Sequence, residues 1–418
     1  MYEIHPPDVF IHERALATPD RRARVARMLR QVRCSQEPKI VDDKRLNEIS
    51  VTNDWPAKSA LRTGQWKLSD DPVLIFNAFT WDTPDERARL CERYPGLATR
   101  MLGGGAPWTL RKGRAFYGRR GTVCQDAWEL HSAFGCLHRC DYCHIGGFAN
   151  IMVNLEEVVE RLPGLLDENP WLQLYKYDNQ TDTIAFEPEY GASELMVDFF
   201  ARREREYLML YTKSDNVDHL LDLNHQGHTI VSFTISSRTV ADRVEHNTPG
   251  TAERIEAAAK VQGAGYVTRV RFSPILPVRG WQDEMETLIH DLLAVVSPDI
   301  ITIDLLGWMN PERIEEIVDV SLLDPQFMDG LRVLFSDGSP GPAYYPSAKH
   351  IFPHELRLEV YNFVIDQVGR RNPRVRVSLC NETTEIWDEL GPRIGMTPKD
   401  YVCGCGPTSV PGNPLLKC

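Results

Sequence analysis

From residue 155 onward the chain repeats one pattern, a strand-like run followed by a helix-length run, and this alternation limits the folds open to it. Helical runs are read at LEEVVERLPGLL (155–166), SELMVDFFARRERE (193–206), VDHLLDLNHQG (217–227), TAERIEAAAKVQGAG (251–265) and WQDEMETLIHDLLAVV (281–296). Between them lie strand-like runs at TDTIAFEPE (181–189), YLMLYTKS (207–214), TIVSFTIS (229–236), VTRVRFSPIL (267–276) and DIITIDLLGW (299–308), preceded by a strand ending near Cys136. Strands alternating with helices build parallel βαβ units, because a parallel neighbour is reached only through a crossover. Six strands with no obvious seventh or eighth predict an α/β fold, a partial (β/α)6 barrel rather than a closed TIM barrel. Around this core, residues 1–125 read as an N-terminal α/β extension and 126–310 as the barrel. Residues 311–418 form a C-terminal region with a helix at 355–371, a strand at 374–380 and a Cys-rich tail.

The composition fits a globular chain. It is 42% hydrophobic and 25% charged, and no apolar stretch approaches the roughly 18–20 residues that span a bilayer. The first residues, MYEIHPPDVFIHERAL, show neither a basic region nor an apolar core of a secretory signal, so a cytoplasmic location without a membrane partner is expected. The net charge of -12 speaks against a nucleic-acid partner, which usually selects a basic surface. Local basic clusters, at Arg21, Arg22, Arg24 and Arg27 and at Arg111, Lys112, Arg114, Arg119 and Arg120, read as solvated faces.

Ten cysteines in such a chain point to metal ligation or redox chemistry rather than structural disulfides. Cys136, Cys140 and Cys143 form a C-x3-C-x2-C group just after the first strand of the series. Three thiolates on one loop suit three irons of a [4Fe–4S] cubane and leave the fourth iron without a protein ligand. S-adenosylmethionine (SAM) can fill that position through its amino and carboxylate groups, which brings the sulfonium to the cluster for reductive cleavage. Such chemistry needs an electron donor such as a flavodoxin or ferredoxin. The competing reading is a zinc site completed by His138 or His144.

Other candidates follow from strand position. Glu187 is placed to accept the SAM ammonium and Lys213 to pair with its carboxylate. Ser232, Thr234 and Ser236 alternate along one strand and therefore share a face, suited to the ribose or methionine part of SAM. Tyr142 and His144 flank Cys143 in sequence and are expected to border the reacting centre.

With these residues assembled, the chain resembles the spore photoproduct lyases, radical SAM enzymes that reverse a thymine dimer in spore DNA. The likeness is carried by the cluster loop, VNLEEV (153–158), YTKSDNVDHLLDLNHQGHTIVSFTIS (211–236), RIEAAAKVQGAGY (254–266), FSPILPVRGW (272–281) and VSLCNETTEIWDELG (377–391). Phe186-Glu187-Pro188 looks like a reduced form of the Gly-Gly-Glu-Pro segment of the radical SAM superfamily. The resemblance implies that Lys213 and Thr234 contact SAM. Two departures stand out. His144 follows the third cluster cysteine where the lyases have a second tyrosine, and Ile184-Ala185-Phe186-Glu187 holds no thiol where they have a hydrogen-donating cysteine. Those losses predict an enzyme, lyase or transferase, that has moved from dimer repair to a small-molecule substrate.

The tail adds Cys403, Cys405 and Cys418, with Cys380 upstream. Soft sulfur ligands suit a second Fe–S cluster, or a thiophilic substrate such as trivalent arsenic that would accept the 3-amino-3-carboxypropyl group of SAM. A mobile end with incidental thiols or a redox pair competes with both. Dimer repair and a non-catalytic zinc- or metalloid-binding protein complete the alternatives.

Overall fold

The structure, a computed structural model, describes residues 1–114, 121–335 and 350–416. It is a mixed α/β fold built on two largely parallel sheets.

The larger sheet has eight strands in sequential spatial order. Trp108–Arg111 is the edge, followed by Ala127–Leu130, Leu174–Tyr177, Tyr207–Thr212, Thr229–Thr234, Val267–Ile275, Ile300–Leu305 and Arg376–Leu379. Trp108–Arg111 pairs antiparallel with its neighbour, and the remaining pairs are parallel. The expected six strands are therefore seven in parallel, because Arg376–Leu379 joins Ile300–Leu305.

Cross-strand register explains the two faces of this sheet. Tyr211 sits opposite Ser232, Ser232 opposite Arg269, Thr234 opposite Arg271, and Arg271 opposite Thr302. Directly paired residues share a face, so these positions form a polar row across the strands. On the other face, the Ala192–Ala201 and Thr251–Gly263 helices pack against Tyr207–Thr212, Thr229–Thr234 and Val267–Ile275. Their buried Met196, Val197, Ala258 and Val261 meet Leu208, Leu210, Val231 and Phe233 in one core. Burial of side chains this size is worth about 1.5–3 kcal/mol each, so the helical face supplies stability and leaves the polar face for chemistry.

Two sequence expectations fail here. The strand expected at 181–189 is a 3-10 turn over Thr183–Phe186, and the true strand is Leu174–Tyr177. Lys176 breaks the apolar signature of that strand because it faces the polar side, where it lies 3.5 Å from Glu129. The helix expected at 217–227 is only the 3-10 turn Asp218–Leu220; beyond it Gln226 and Gly227 take positive φ and turn the chain.

The smaller sheet runs Lys39–Val41, Val9–His12, Val73–Asn77, Phe148–Met152 and Ala133–Phe134, with the last pair antiparallel. It draws strands from both sides of the boundary expected at 125/126, since Val73–Asn77 pairs with Phe148–Met152. Among the described residues no helix is long and apolar enough to cross a membrane.

Candidate functional site

The loop carrying Cys136, Cys140 and Cys143 is held from three sides. Gly135 has φ +120°, and a Cβ there would stand 1.9 Å from the Phe148 carbonyl oxygen, so only glycine fits the entry to the loop. Its N–H donates to the Gln180 carbonyl at 2.8 Å. The Arg139–Cys140 pair forms a short antiparallel ladder with Glu245–His246. From the N-terminal region, the Thr63 N–H and hydroxyl both donate to the Cys143 carbonyl, at 2.7 and 3.0 Å. Arg100 closes the back by donating to the carbonyls of His144, Ile145, Gly146 and Phe148. One guanidinium thus satisfies four loop carbonyls.

Cys136 and Cys140 are buried, Cys143 is half-buried, and all three are free thiols. The three lie within electrostatic range of one another. Burial pushes the Cys136 and Cys140 thiols well above their usual range, and the Lys213 charge opposes this at Cys140. Among the described residues no three His, Cys, Asp or Glu side chains are gathered to hold one metal ion. In a cubane each cysteine meets its own iron, so the three thiols need not converge on one point.

A charged network flanks the thiols. Lys213 donates to Glu245 at 3.1 Å, Arg254 pairs with the same carboxylate at 2.6 Å, and the Ser236 hydroxyl donates to it at 2.8 Å. The Tyr142 hydroxyl also donates to Glu245. Against the opposing effect of burial, Lys213 and Arg254 hold Glu245 well below the usual carboxylate range. Burial and the Glu245 charge keep Tyr142 a neutral phenol. Asp182 forms a second buried anchor. It accepts from the Thr212 hydroxyl at 2.8 Å and the Lys213 N–H at 2.7 Å, and lies 3.3 Å from His138. Sequence reasoning missed Glu245, Asp182 and Arg254. Each lies on a turn, a two-residue strand or a helix start, where no periodicity marks a functional side chain.

The sequence-derived candidates divide. Cys136, Cys140, Cys143, Tyr142 and Lys213 come together, and Ser232 and Thr234 lie buried on the polar face of the same sheet. The Ser232 hydroxyl oxygen has no hydrogen-bond partner, which marks a place for a ligand group. His144 is exposed and is fixed through its carbonyl rather than its ring. Glu187 is buried, and its two oxygens accept the N–H groups of Gly191 and Ser193 at 2.7 Å each. It therefore caps the Ala192–Ala201 helix.

Cys403 and Cys405 are not on a mobile end. Both are buried, and the tail is pinned to the sheet. Arg269 donates to the carbonyls of Gly404 (2.7 Å) and Ser409 (3.0 Å), and the Ser378 hydroxyl donates to the Val402 carbonyl at 2.6 Å. Cys418 lies outside the described residues.

A family profile described as spore photoproduct lyase matches residues 124–308. The curated spore photoproduct lyase of Bacillus subtilis is 28% identical over 184 residues, 42% of this chain and 54% of that protein. That of Clostridium acetobutylicum is 26% identical over 169 residues, 39% and 50% of the two chains. The chain thus spans about half the length of the curated relatives it matches. A solved spore photoproduct lyase mutant with bound AdoMet and dinucleoside spore photoproduct superposes with a TM-score of 0.60. It is 17% identical, with 90% of this chain and 98% of that one covered. A spore photoproduct lyase complexed with dinucleoside spore photoproduct gives the same score and identity, covering 90% and 100%. The profile covers the thiol loop, Lys213, Glu245 and the polar strands, and the structural likeness extends the fold well beyond it. Over residues 124–308 the chain is therefore similar to the spore photoproduct lyases, and its fold is that of their solved structures.

Proposed function

We propose that this chain is a radical SAM enzyme whose Cys136, Cys140 and Cys143 hold a [4Fe–4S] cluster and whose polar sheet face binds SAM and substrate. The observation carrying this reading is three free thiols on one loop, within electrostatic range of one another and beside Lys213, whose ammonium is fixed by Glu245. When bound, the cluster and SAM supply one-electron cleavage of a carbon–sulfur bond, with the electron drawn from a donor such as a flavodoxin or ferredoxin.

The protein's own groups bind, orient and shield. Lys213 offers its ammonium to the SAM carboxylate while Glu245 limits its motion. Ser232 and Thr234 offer hydroxyls to the polar parts of SAM. Tyr142 stays protonated at the rim of the thiol loop. Arg100 and Thr63 keep loop carbonyls satisfied, which holds the loop in shape. The sheet then works as a partial barrel with its polar row inside.

A small-molecule substrate remains the favoured class, since the net charge is -12. The expectation that nucleic acid is not the substrate gains no support from the comparisons, because solved relatives carry a dinucleoside spore photoproduct. A DNA-lesion substrate is therefore the second reading. It predicts binding to thymine-dimer DNA that weakens steeply with salt.

The test is anaerobic reconstitution with iron and sulfide, reduction in the presence of SAM, and chromatography of the products. 5′-Deoxyadenosine is expected from wild type and absent from a Cys136→Ala/Cys140→Ala/Cys143→Ala variant. Methylthioadenosine, raised by arsenite, would instead support transfer of the aminocarboxypropyl group. No iron uptake and no SAM cleavage would overturn the reading.

A further inference from the structure

Four cysteines meet away from the thiol loop, and three remote chain segments supply them. Cys124 precedes the Ala127–Leu130 strand, Cys380 follows the Arg376–Leu379 strand, and Cys403 and Cys405 belong to the pinned tail. The segments are joined directly. Val123 N–H donates to the Glu382 carbonyl at 2.7 Å, and Gln125 donates its side-chain amide to the Tyr401 carbonyl at 3.0 Å. All four thiols lie within electrostatic range of the Tyr401 hydroxyl, and that buried hydroxyl has no hydrogen-bond partner.

The surroundings are cationic. Arg111 reaches the Cys124 sulfur at 2.8 Å and the Cys405 sulfur at 3.2 Å, and Arg271 lies 3.8 Å from the Cys380 sulfur. Lys176 and Arg271 both cover the Tyr211 ring, at 4.8 and 5.0 Å. Facing anions are fewer, with Glu129 beside Arg111 and Lys176, and Asp304 beside Arg271. Arg271 is only 6% exposed, and its Nε has no partner, nor has the buried Thr302 hydroxyl. A buried surplus of cations with idle donors is costly unless an anionic group completes it.

We propose that Cys124, Cys380, Cys403 and Cys405 form a second metal centre that takes a [4Fe–4S] cluster through four thiolates. Ligation by four cysteines is the usual mode for such clusters. A cubane core with four thiolates is dianionic, which matches the excess of arginine and lysine. Four thiolates leave no open iron, so this centre stores or relays electrons and does not bind SAM. The proposal does not depend on the SAM reading.

The full chain is reconstituted anaerobically with ferrous iron and sulfide, and iron and Mössbauer spectra are compared among variants. Wild type is expected to hold about eight irons as two [4Fe–4S] populations, and the Cys124→Ser/Cys380→Ser/Cys403→Ser/Cys405→Ser variant about four. The Cys136→Ala/Cys140→Ala/Cys143→Ala variant is expected to keep about four irons while losing SAM cleavage. One cluster population in wild type overturns the proposal without use of any variant, so misfolding of the fourfold variant leaves the test intact. Stoichiometric zinc at the four thiols, or a Cys403–Cys405 disulfide with no second uptake of iron, also overturns it. Full iron retention in the thiol-loop variant with SAM cleavage intact would sink the SAM reading and leave this one standing.

Discussion

The thiol trio of the loop and the thiol quartet beneath the tail use the same element in opposite settings. The trio sits on one loop, beside a carboxylate network in which Glu245 gathers Lys213, Arg254, Ser236 and Tyr142. The quartet is assembled from three segments and faces Arg111, Arg271 and Lys176. A loop that supplies every ligand needs only local geometry, and it can leave one iron open for a small molecule. A quartet gathered across the fold needs the whole sheet in place first, and it closes its metal off. The difference points to an open site for chemistry and a closed one for electron storage or relay.

The largest effect that would break this comparison is at the loop. Cys136→Ala is expected to abolish SAM cleavage while Cys405→Ser keeps SAM bound, read by product chromatography and by equilibrium binding of SAM. Equal loss in both would mean the two regions form one site.

Next come the buried charges. Glu245→Ala strands Lys213 and Arg254 and is expected to cost about 3–5 kcal/mol in urea denaturation of the apoprotein. The two regions also share a pH dependence. Against burial, Lys176 and Arg111 hold Glu129 down to about 2, and Glu245 is held low as well. A carboxylate lowered on folding stabilises above its unfolded value of about 4.3 and loses that contribution as pH falls through the folded value. The urea midpoint is therefore expected to drop on acidification below about pH 4, and less steeply in Glu129→Gln.

The smallest effect separates the two backbones. Gly404 has no positive φ, but a Cβ there would stand 3.1 Å from the Thr302 hydroxyl oxygen and 3.2 Å from the Arg271 guanidinium. Gly404→Ala is expected to cost about 1–3 kcal/mol, against a larger loss for Gly135→Ala, where backbone blocks the Cβ. Thermal melts of the two variants compare them, and equal losses would mean the tail is packed as rigidly as the loop entry.

The same contrast explains what the sequence revealed. C-x3-C-x2-C is local, so the proximity of the trio is legible from spacing, and strand position alone puts Lys213 at a strand end and Ser232 and Thr234 on one face. Strands flanked by long amphipathic helices were legible too. Leu174–Tyr177 was not, because Lys176 serves the polar face and interrupts the apolar run. Glu187 was read by its place before Pro188, yet its oxygens cap a helix. Cys124 joins Cys405 through Arg111 across a separation no motif spans. The tail reads as a mobile end because it is a terminus, whereas Gly406 is packed so that a Cβ would meet the Gln125 side chain at 2.0 Å.

The most direct measurement is electron paramagnetic resonance of the reduced protein carrying Ser at Cys124, Cys380, Cys403 and Cys405, with and without SAM. With only the thiol loop able to hold a cluster, the account predicts a reduced [4Fe–4S] signal whose spectrum changes when SAM is added, and no such change in Lys213→Ala. A spectrum indifferent to SAM, or no cluster signal in a folded protein, would contradict the claim that Cys136, Cys140 and Cys143 hold a cluster with an open iron.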